Sequence, residues 1–506
     1  IDLYANYNRK IGEDFELGAM VGHSFLKTRS RTSYIDAQNY PSPAFDVASV
    51  AANIVDASAG LSEYAIESYF ARLSLAYKDR YVVNATIRTD GSSRFAPDCR
   101  WGWFPSVSVG WNVSNESFWN AEKTDLKIRA SYGRTGNQDG ISNYGWQALI
   151  SGGVNYGGQS GIAISSSGND RLTWETADQY NAGFDLSFLG GKINMIADVY
   201  LKNTNNLLYS KPVHATTGET SILSNIGSMR NKGVEFTINT HLNLGKVLWS
   251  SSFNIARNVN KLTSLLEDDL LSIGANRALK LGRTVGSWYI FRTDGIYQYD
   301  GEVPQALYDK GVRAGDVKYW DRNGDGNITD DDRIVTGNPN PKFSGGWNNT
   351  FKYKGLELSL FFTYSYGNDV YASWMIHGSK PGHTRSLLKA YADNRWTGPG
   401  TSDKYPRAIY SYSGWNGKNS TMYLTDGSFI RLRSVTLGYT FPQRLVSKIH
   451  LKGLRVYAQG DNVFLCSRYP GWDPETSVNL DPRFYGEDND GVPQPRIFKL
   501  GVNITF

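Results

Sequence analysis

Apolar and polar residues alternate along most of this chain. Leu356, Leu358, Leu360, Phe362, Tyr364 and Tyr366 fall on one face of a strand, with Glu357, Ser359, Thr363 and Ser365 between them. The segment before it puts Trp347, Asn349, Phe351 and Tyr353 on one face and Asn348, Thr350 and Lys352 on the other, and the two meet at Lys354-Gly355. A period of two is that of a β-strand with unlike faces, and the length suffices to cross a bilayer. Tyr69, Ala71, Leu73, Leu75 and Tyr77 repeat the pattern, turning through Lys78-Asp79-Arg80 into Tyr81, Val83, Ala85 and Ile87. So do Val107, Val109 and Trp111; Phe184, Leu186 and Phe188; Val234, Phe236 and Ile238; and, last, Phe498, Leu500, Val502, Ile504 and Phe506.

Roughly sixteen or seventeen strands are predicted, with short polar turns on one side and long loops on the other, as in outer-membrane barrels. Residues 27–62 show little periodicity and read as one large loop. Aromatics close both ends of several apolar faces, as Tyr69 and Tyr77 do, a placement that suits rings at the headgroup level. The fold class expected is all-β, a transmembrane antiparallel β-barrel with long extracellular loops and with Phe506 outward at its periplasmic end. A soluble sandwich or propeller shares the alternation. No fixed-period repeat supports a propeller.

Composition narrows this further. The chain has 506 residues, of which 13% are aromatic, with 32 Tyr and 14 Trp. Mean hydropathy is −0.43, and no run of about eighteen apolar residues occurs, which excludes a helical membrane protein but not a barrel with a polar lumen. The net charge of +5 is small against the charged residues of both signs and implies no nucleic-acid partner. Cys99 and Cys466 are the two cysteines and impose no disulfide framework. Because its first residues already alternate, the chain reads as a fragment or a processed product.

Several segments resemble the SusC-like TonB-dependent transporters of Bacteroidetes outer membranes. They include Tyr69-Phe70-Ala71-Arg72-Leu73, Arg88-Thr89-Asp90-Gly91-Ser92-Ser93-Arg94-Phe95, Leu126-Lys127-Ile128-Arg129-Ala130-Ser131-Tyr132-Gly133, Leu172-Thr173-Trp174-Glu175-Thr176, Asn231-Lys232-Gly233-Val234-Glu235, Leu437-Gly438-Tyr439-Thr440-Phe441-Pro442 and Tyr469-Pro470-Gly471-Trp472-Asp473-Pro474-Glu475. The specificity lies in their number and order, and they span nearly the whole chain. The resemblance implies a barrel of about 22 strands, of which residues 1–506 are the C-terminal part, the plug domain and first strands being absent. It implies active import of a large nutrient, an oligosaccharide or a peptide, energised by the TonB complex through the missing N-terminal part. A SusD-like surface lipoprotein is the implied lid, and outer-membrane lipid the implied surroundings. A passive porin or an adhesin-type barrel is the alternative, and a secreted glycan-degrading enzyme a second.

Three sets of residues are candidate sites. Asp321, Asn323 and Asp325 alternate, Gly326 supplies the sharp turn, and Asp332 takes position twelve, the spacing of a calcium loop. With the carbonyl of Asn327 they would hold one structural Ca²⁺, stiffening a long loop that no packed core supports. Asp at position twelve, where Glu normally binds bidentately, and the lack of flanking helices set it apart from an EF-hand. The other reading is an acidic turn whose side chains cap local backbone. Trp374, Trp396, Tyr410, Tyr412, Trp415 and Trp472 lie in long loops, where they would stack on substrate, meet the lid or pack loop on loop. Arg72, Arg88 and Arg129 are expected on the lumen side of their strands, where they would contact substrate or plug carboxylates or simply line a wet lumen. No catalytic role is expected: the six His are scattered without metal spacing, and no nucleophile-elbow sequence occurs.

Overall fold

The computed structural model describes residues 1–120, 123–214, 216, 218–219, 221–265, 269–380, 386–409 and 414–506. Among the described residues, fifteen long strands follow one another in chain order along one antiparallel sheet. They are β1 (Asp2–Ile11), β2 (Phe15–Gln38), β3 (Asn53–Tyr77), β4 (Tyr81–Ser92), β5 (Trp101–Asn112), β6 (Thr124–Asn137), β7 (Glu175–Phe188), β8 (Ile193–Asn205), β9 (Gly227–Leu244), β10 (Val247–Leu265), β11 (Phe343–Tyr353), β12 (Leu356–Tyr366), β13 (Phe429–Thr440), β14 (Gly453–Ser467) and β15 (Ile497–Thr505). This is one or two fewer than the alternation predicts. By contacts the chain divides into two compact units, one of Ile1–Trp119, Lys127–Ala182 and Lys202–Met229, the other of Asn120–Leu126, Gly183–Leu201 and Arg230–Phe506.

In the first unit the register aligns Leu17, Leu75, Val83, Val109 and Ala130 in one row across five strands. Leu75, Val83 and Val109 are exposed, as are Leu73 and Val107 in the next row. Apolar side chains on an uncovered sheet face belong against lipid. Phe15, Tyr77, Tyr81 and Trp111 run in a further row, ring centroids 4.5, 6.3 and 6.3 Å apart in succession. Tyr69 and Trp101 pair near the other end at 6.1 Å. Tyr69 and Tyr77 are separated by about 26 Å of strand, or about 20 Å of height at the usual tilt, close to the apolar band of an outer-membrane barrel. On the opposite face Ser74 donates to Asn84 and Asn84 to Ser108, a polar wall.

β2 and β3 are 24 and 25 residues long, far beyond the roughly ten that cross a bilayer. Above His23 and Tyr69 they continue as a ribbon, so only residues 39–52 connect them, and the large loop expected at 27–62 is mostly strand. The reason is solvation. Above the membrane both faces meet water, so Tyr34, Ile35, Ile54 and Leu61 can be exposed without alternation.

In the second unit the two-residue turn at Lys354-Gly355 joins β11 and β12 with φ of 46° and 89°. Both values lie in the left-handed region that such hairpins require, and a Cβ at Gly355 would also sit 2.5 Å from the Thr440 carbonyl. With short turns on the periplasmic side, odd-numbered strands descend and even-numbered strands rise. Residues 269–342, 367–380, 386–409, 414–428 and 468–496 are therefore extracellular, and the buried core of this unit lies in them. Trp288, Ile290, Val370, Tyr371, Met375, Tyr423 and Tyr469 form one cluster. Phe291, Ile296, Val317 and Tyr319 form another, with Ile328 packed against it. The aspartate loop thus rests on a packed core, contrary to expectation.

Candidate functional site

The short strand Asp369–Ala372 lies between Leu424–Asp426, antiparallel, and Glu487–Asp488, parallel. Tyr371 stacks on Trp288 at 6.4 Å, and the buried Arg277 lies 4.1 Å from the Trp288 ring centroid. Arg277 donates to the carbonyls of Gly286 and Tyr485, so a charge pins the last loop from beneath. Burial pushes its guanidinium down to about 10, which leaves it charged at neutral pH.

On this platform stands an open pocket of ≈ 600 Å³ lined by Trp374, Leu388, Trp472, Asp488 and Asp490, with Pro470 and Gly471 along its wall. Trp374 opens the short helix Trp374–Gly378 directly after the platform strand. Its Nε1 donates to Tyr469 Oη at 3.1 Å, and that hydroxyl donates to Asp488 Oδ2 at 2.5 Å. Asp488 Oδ1 accepts the Gly491 amide at 2.9 Å. Burial first, and then Asp488, push the Tyr469 hydroxyl well above its ordinary range, so it stays a donor. Gly471 is required by closeness: a Cβ there would meet the Tyr469 ring at 2.4 Å.

Trp472 is 78% exposed although its neighbours are held firmly. Asp473 pairs with Arg431 at 2.5 Å, and Glu475 with Arg433 at 2.6 Å. Arg431 Nε also lies 2.8 Å from Glu475 Oε2, close enough for an ion pair although the N–H is not directed at that oxygen. An indole held out into water by such anchors is preorganised for stacking. The pocket offers two indoles and acceptor carboxylates, which fits a ligand with an apolar face and outward donors.

The other expected contacts fare differently. Trp396 donates to Gln298 Oε1 at 3.2 Å, and Trp415 donates to the Val317 carbonyl at 2.9 Å. Both pack against the Phe291–Tyr319 cluster, so they join loop to loop. Tyr410 and Tyr412 lie outside the described residues. Arg88 is tied to Asp90 at 2.8 Å and to Ser68 at 3.0 Å. Arg129 lines a pocket of the polar wall with Asn84, Ser108 and Asn181, and Arg72 is exposed. Sequence reasoning missed Asp488, Tyr469 and Leu388: Tyr469 reaches Trp374 across 95 residues and Asp488 across 19, and neither spacing leaves a local signal. It also missed the Arg431–Asp473 clamp.

Four of the five residues of the aspartate loop, Asp321, Asn323, Asp325 and Asp332, turn side-chain oxygens to amides. Asp321 accepts from the amides of Gly324 at 2.7 Å and Gly326 at 2.8 Å. Asp325 accepts from Asn327 at 2.7 Å and from the Asn323 side chain at 2.9 Å. The buried Asp332 accepts from Arg322 at 2.9 Å and from Thr329 at 2.8 Å, in a capping box. The Asn327 side chain takes the Lys310 ammonium at 2.8 Å. Among the described residues no three His, Cys, Asp or Glu side chains converge as a cage for an ion. As arranged, the donor set fits a carboxylate-capped turn better than a metal site.

Comparison with known proteins agrees with this architecture. Residues 2–331 match the family of TonB-dependent receptor-like β-barrels. A TonB-dependent receptor of Formosa agariphila is 33% identical over 525 residues, covering 99% of this chain and 52% of the relative. SusC of Bacteroides thetaiotaomicron, also described as a TonB-dependent receptor, is 29% identical over 531 residues, covering 100% of this chain and 50% of its own. The chain spans about half the length of the curated relatives it matches. The structure of the RagAB peptide transporter superposes with a TM-score of 0.85 at 23% identity, covering 100% of this chain and 55% of that one. That likeness shows the shared fold.

Proposed function

Because the chain belongs to the TonB-dependent receptor β-barrel family, as a SusC-like barrel of the bacterial outer membrane, we propose that the whole protein imports a large nutrient, an oligosaccharide or a peptide, without catalysing a reaction on it. TonB would energise the import through parts outside these residues, a plug among them. A SusD-like lipoprotein would close over the extracellular loops. SusC among the relatives and RagAB among the solved structures support both partners. The observation that carries the reading is the pairing of Trp374 and Trp472 in one pocket on the extracellular side. Stacking there would gather the nutrient at the mouth before it enters the lumen.

The test uses the full-length protein in its own outer membrane. Cells are given labelled oligosaccharide mixtures or peptide mixtures, with and without a functional TonB complex. Import of one class above its external concentration, lost without TonB and reduced by Trp472→Ala with the barrel assembled, is expected. Uptake indifferent to TonB would make the protein a passive pore.

A further inference from the structure

A second extracellular pocket, of ≈ 490 Å³, is lined by Lys310, Val312, Asp316, Arg407, Trp415 and Lys418, together with Gly311, Ile409 and Gly414. Its charges do not balance. Asp316 is buried and already committed: Arg407 grips it at 2.8 and 3.0 Å, Asn416 donates at 3.0 Å and the Arg313 amide at 2.9 Å. Lys310 is exposed and donates to a neutral oxygen of Asn327. Lys418 is half-buried, its ammonium 5.0 Å from the Phe291 ring and 5.5 Å from the Trp415 ring. The carboxylate that acts on it, Asp330, is itself paired with Arg333 at 2.9 Å. Among the described residues the pocket therefore presents two ammonium groups with no carboxylate committed to either alone. Burial is the main influence lowering the Lys418 pKa, with Arg333 and Lys310 adding to it, as for a cation held where an anion is wanted.

We propose that this pocket binds an anionic substituent, a sulfate ester or uronate carboxylate, on an oligosaccharide that the protein imports, with Lys310 and Lys418 as the charge-reading residues. The proposal rests on the import reading and names the chemistry of its substrate. A peptide captured as an added strand would need main-chain donors, and four of those around the pocket are taken. The amides of Gly311 and Val312 donate to Tyr308 and Leu307, that of Arg407 to Gly315 and that of Lys418 to Trp415. What the pocket leaves to a ligand is side-chain charge and apolar contact. That distinguishes one sugar substituent from another.

The experiment measures binding to the purified full-length transporter in detergent, with a chondroitin-sulfate tetrasaccharide, its desulfated and carboxyl-reduced form, and hexaglutamate as probes. The sulfated form should bind more tightly than the neutral one, and the difference should shrink as salt rises. Lys310→Gln with Lys418→Gln should lower affinity for the sulfated form on the order of tenfold and leave the neutral form unchanged, while Lys418→Arg keeps the preference. Heat-modifiable migration confirms assembly of each variant, and Lys310→Gln alone, at an exposed site, gives a smaller loss if the double variant fails to assemble. Equal binding of sulfated and neutral forms, or a preference untouched by the lysine variants, overturns the proposal and leaves the import reading standing. Binding of hexaglutamate in preference to any sugar also overturns it. Loss of TonB-dependent uptake of every nutrient class overturns the import reading instead.

Discussion

Arg431, on β13, and Asp473, in the loop after β14, meet as an ion pair at 2.5 Å with 3% and 7% of their side chains exposed. The pair joins the barrel wall to the loop that carries Trp472. Breaking it from one side leaves a buried charge unpaired, which costs about 3–5 kcal/mol, whereas replacing both partners is often near neutral. Arg431→Met should speed amide exchange across residues 468–476 and weaken nutrient binding while the barrel still assembles. Arg431→Met with Asp473→Leu should recover part of the protection. Exchange unchanged in the single variant would mean that the loop is held by other contacts.

The lipid-facing reading of the strands has its own test. Leu73 lies about midway between the rings of Tyr69 and Tyr77, in register with Ala19 and Ala85, and Val107 follows in the same row. Leu73→Arg in the full-length protein should cost about 2–4 kcal/mol. Ser74→Arg, one residue on and facing the polar wall, should cost much less. Denaturant unfolding from lipid vesicles compares them. Equal costs on the two faces would place both in one kind of surroundings.

The wall is legible in the sequence because lipid on one side and water on the other impose a period of two. That period alone assigns Leu75, Val83 and Val107 to the outward face, and all three are exposed. The upper halves of β2 and β3 are not legible in this way, since Tyr34 and Ile35 are adjacent and both exposed, and water on both faces imposes no period. The loops pose a different problem. Trp374, Trp396, Trp415 and Trp472 all look alike as aromatics in polar surroundings, and partners distant in sequence decide which packs and which projects. Gln298 takes one indole, Val317 another and Tyr469 a third, each from about a hundred residues away, while Trp472 is left exposed.

Acid should act on the periplasmic turn between β5 and β6. Glu116 Oε1 accepts from Tyr81 Oη at 2.6 Å and Trp111 Nε1 at 3.0 Å, and Arg80 lies 3.3 Å from Oε2. The Tyr81 hydrogen bond first, then that of Trp111, hold the carboxyl below its ordinary range. A folded-state pKa depressed in this way gives stability that is complete above the unfolded value, about 4.3, and is lost as pH falls through the folded one. The Trp111 indole N–H should thus stay protected from exchange at neutral pH and lose protection only in acid. In Glu116→Gln the acid step should vanish. An acid step of the same size in that variant would assign it to another group.

The aspartate loop sets a cation against the loop's own amides. A carboxylate oxygen that accepts one N–H keeps a second lone pair, so Asp321 and Asp325 retain capacity for a hard cation. Asp332, buried and bonded through both oxygens to Arg322 and Thr329, could contribute only by giving up part of the capping box. The proposal that follows is a facultative Ca²⁺ site of the low affinity seen in extracellular modules, about 10⁻⁴–10⁻³ M, on a turn that its amides already close. In the full-length protein, millimolar calcium should slow amide exchange across residues 321–332, and chelation should return it to an intermediate level rather than to that of an open loop. Asp321→Ala with Asp325→Ala should abolish the calcium response, whereas Asp332→Ala should open the turn with or without calcium, since the two part-buried amides it caps would lose their acceptor. A calcium response of zero in the unaltered protein would leave a carboxylate-capped turn and no metal. Complete loss of protection on chelation would make the cation obligatory and the amide bonds secondary to it.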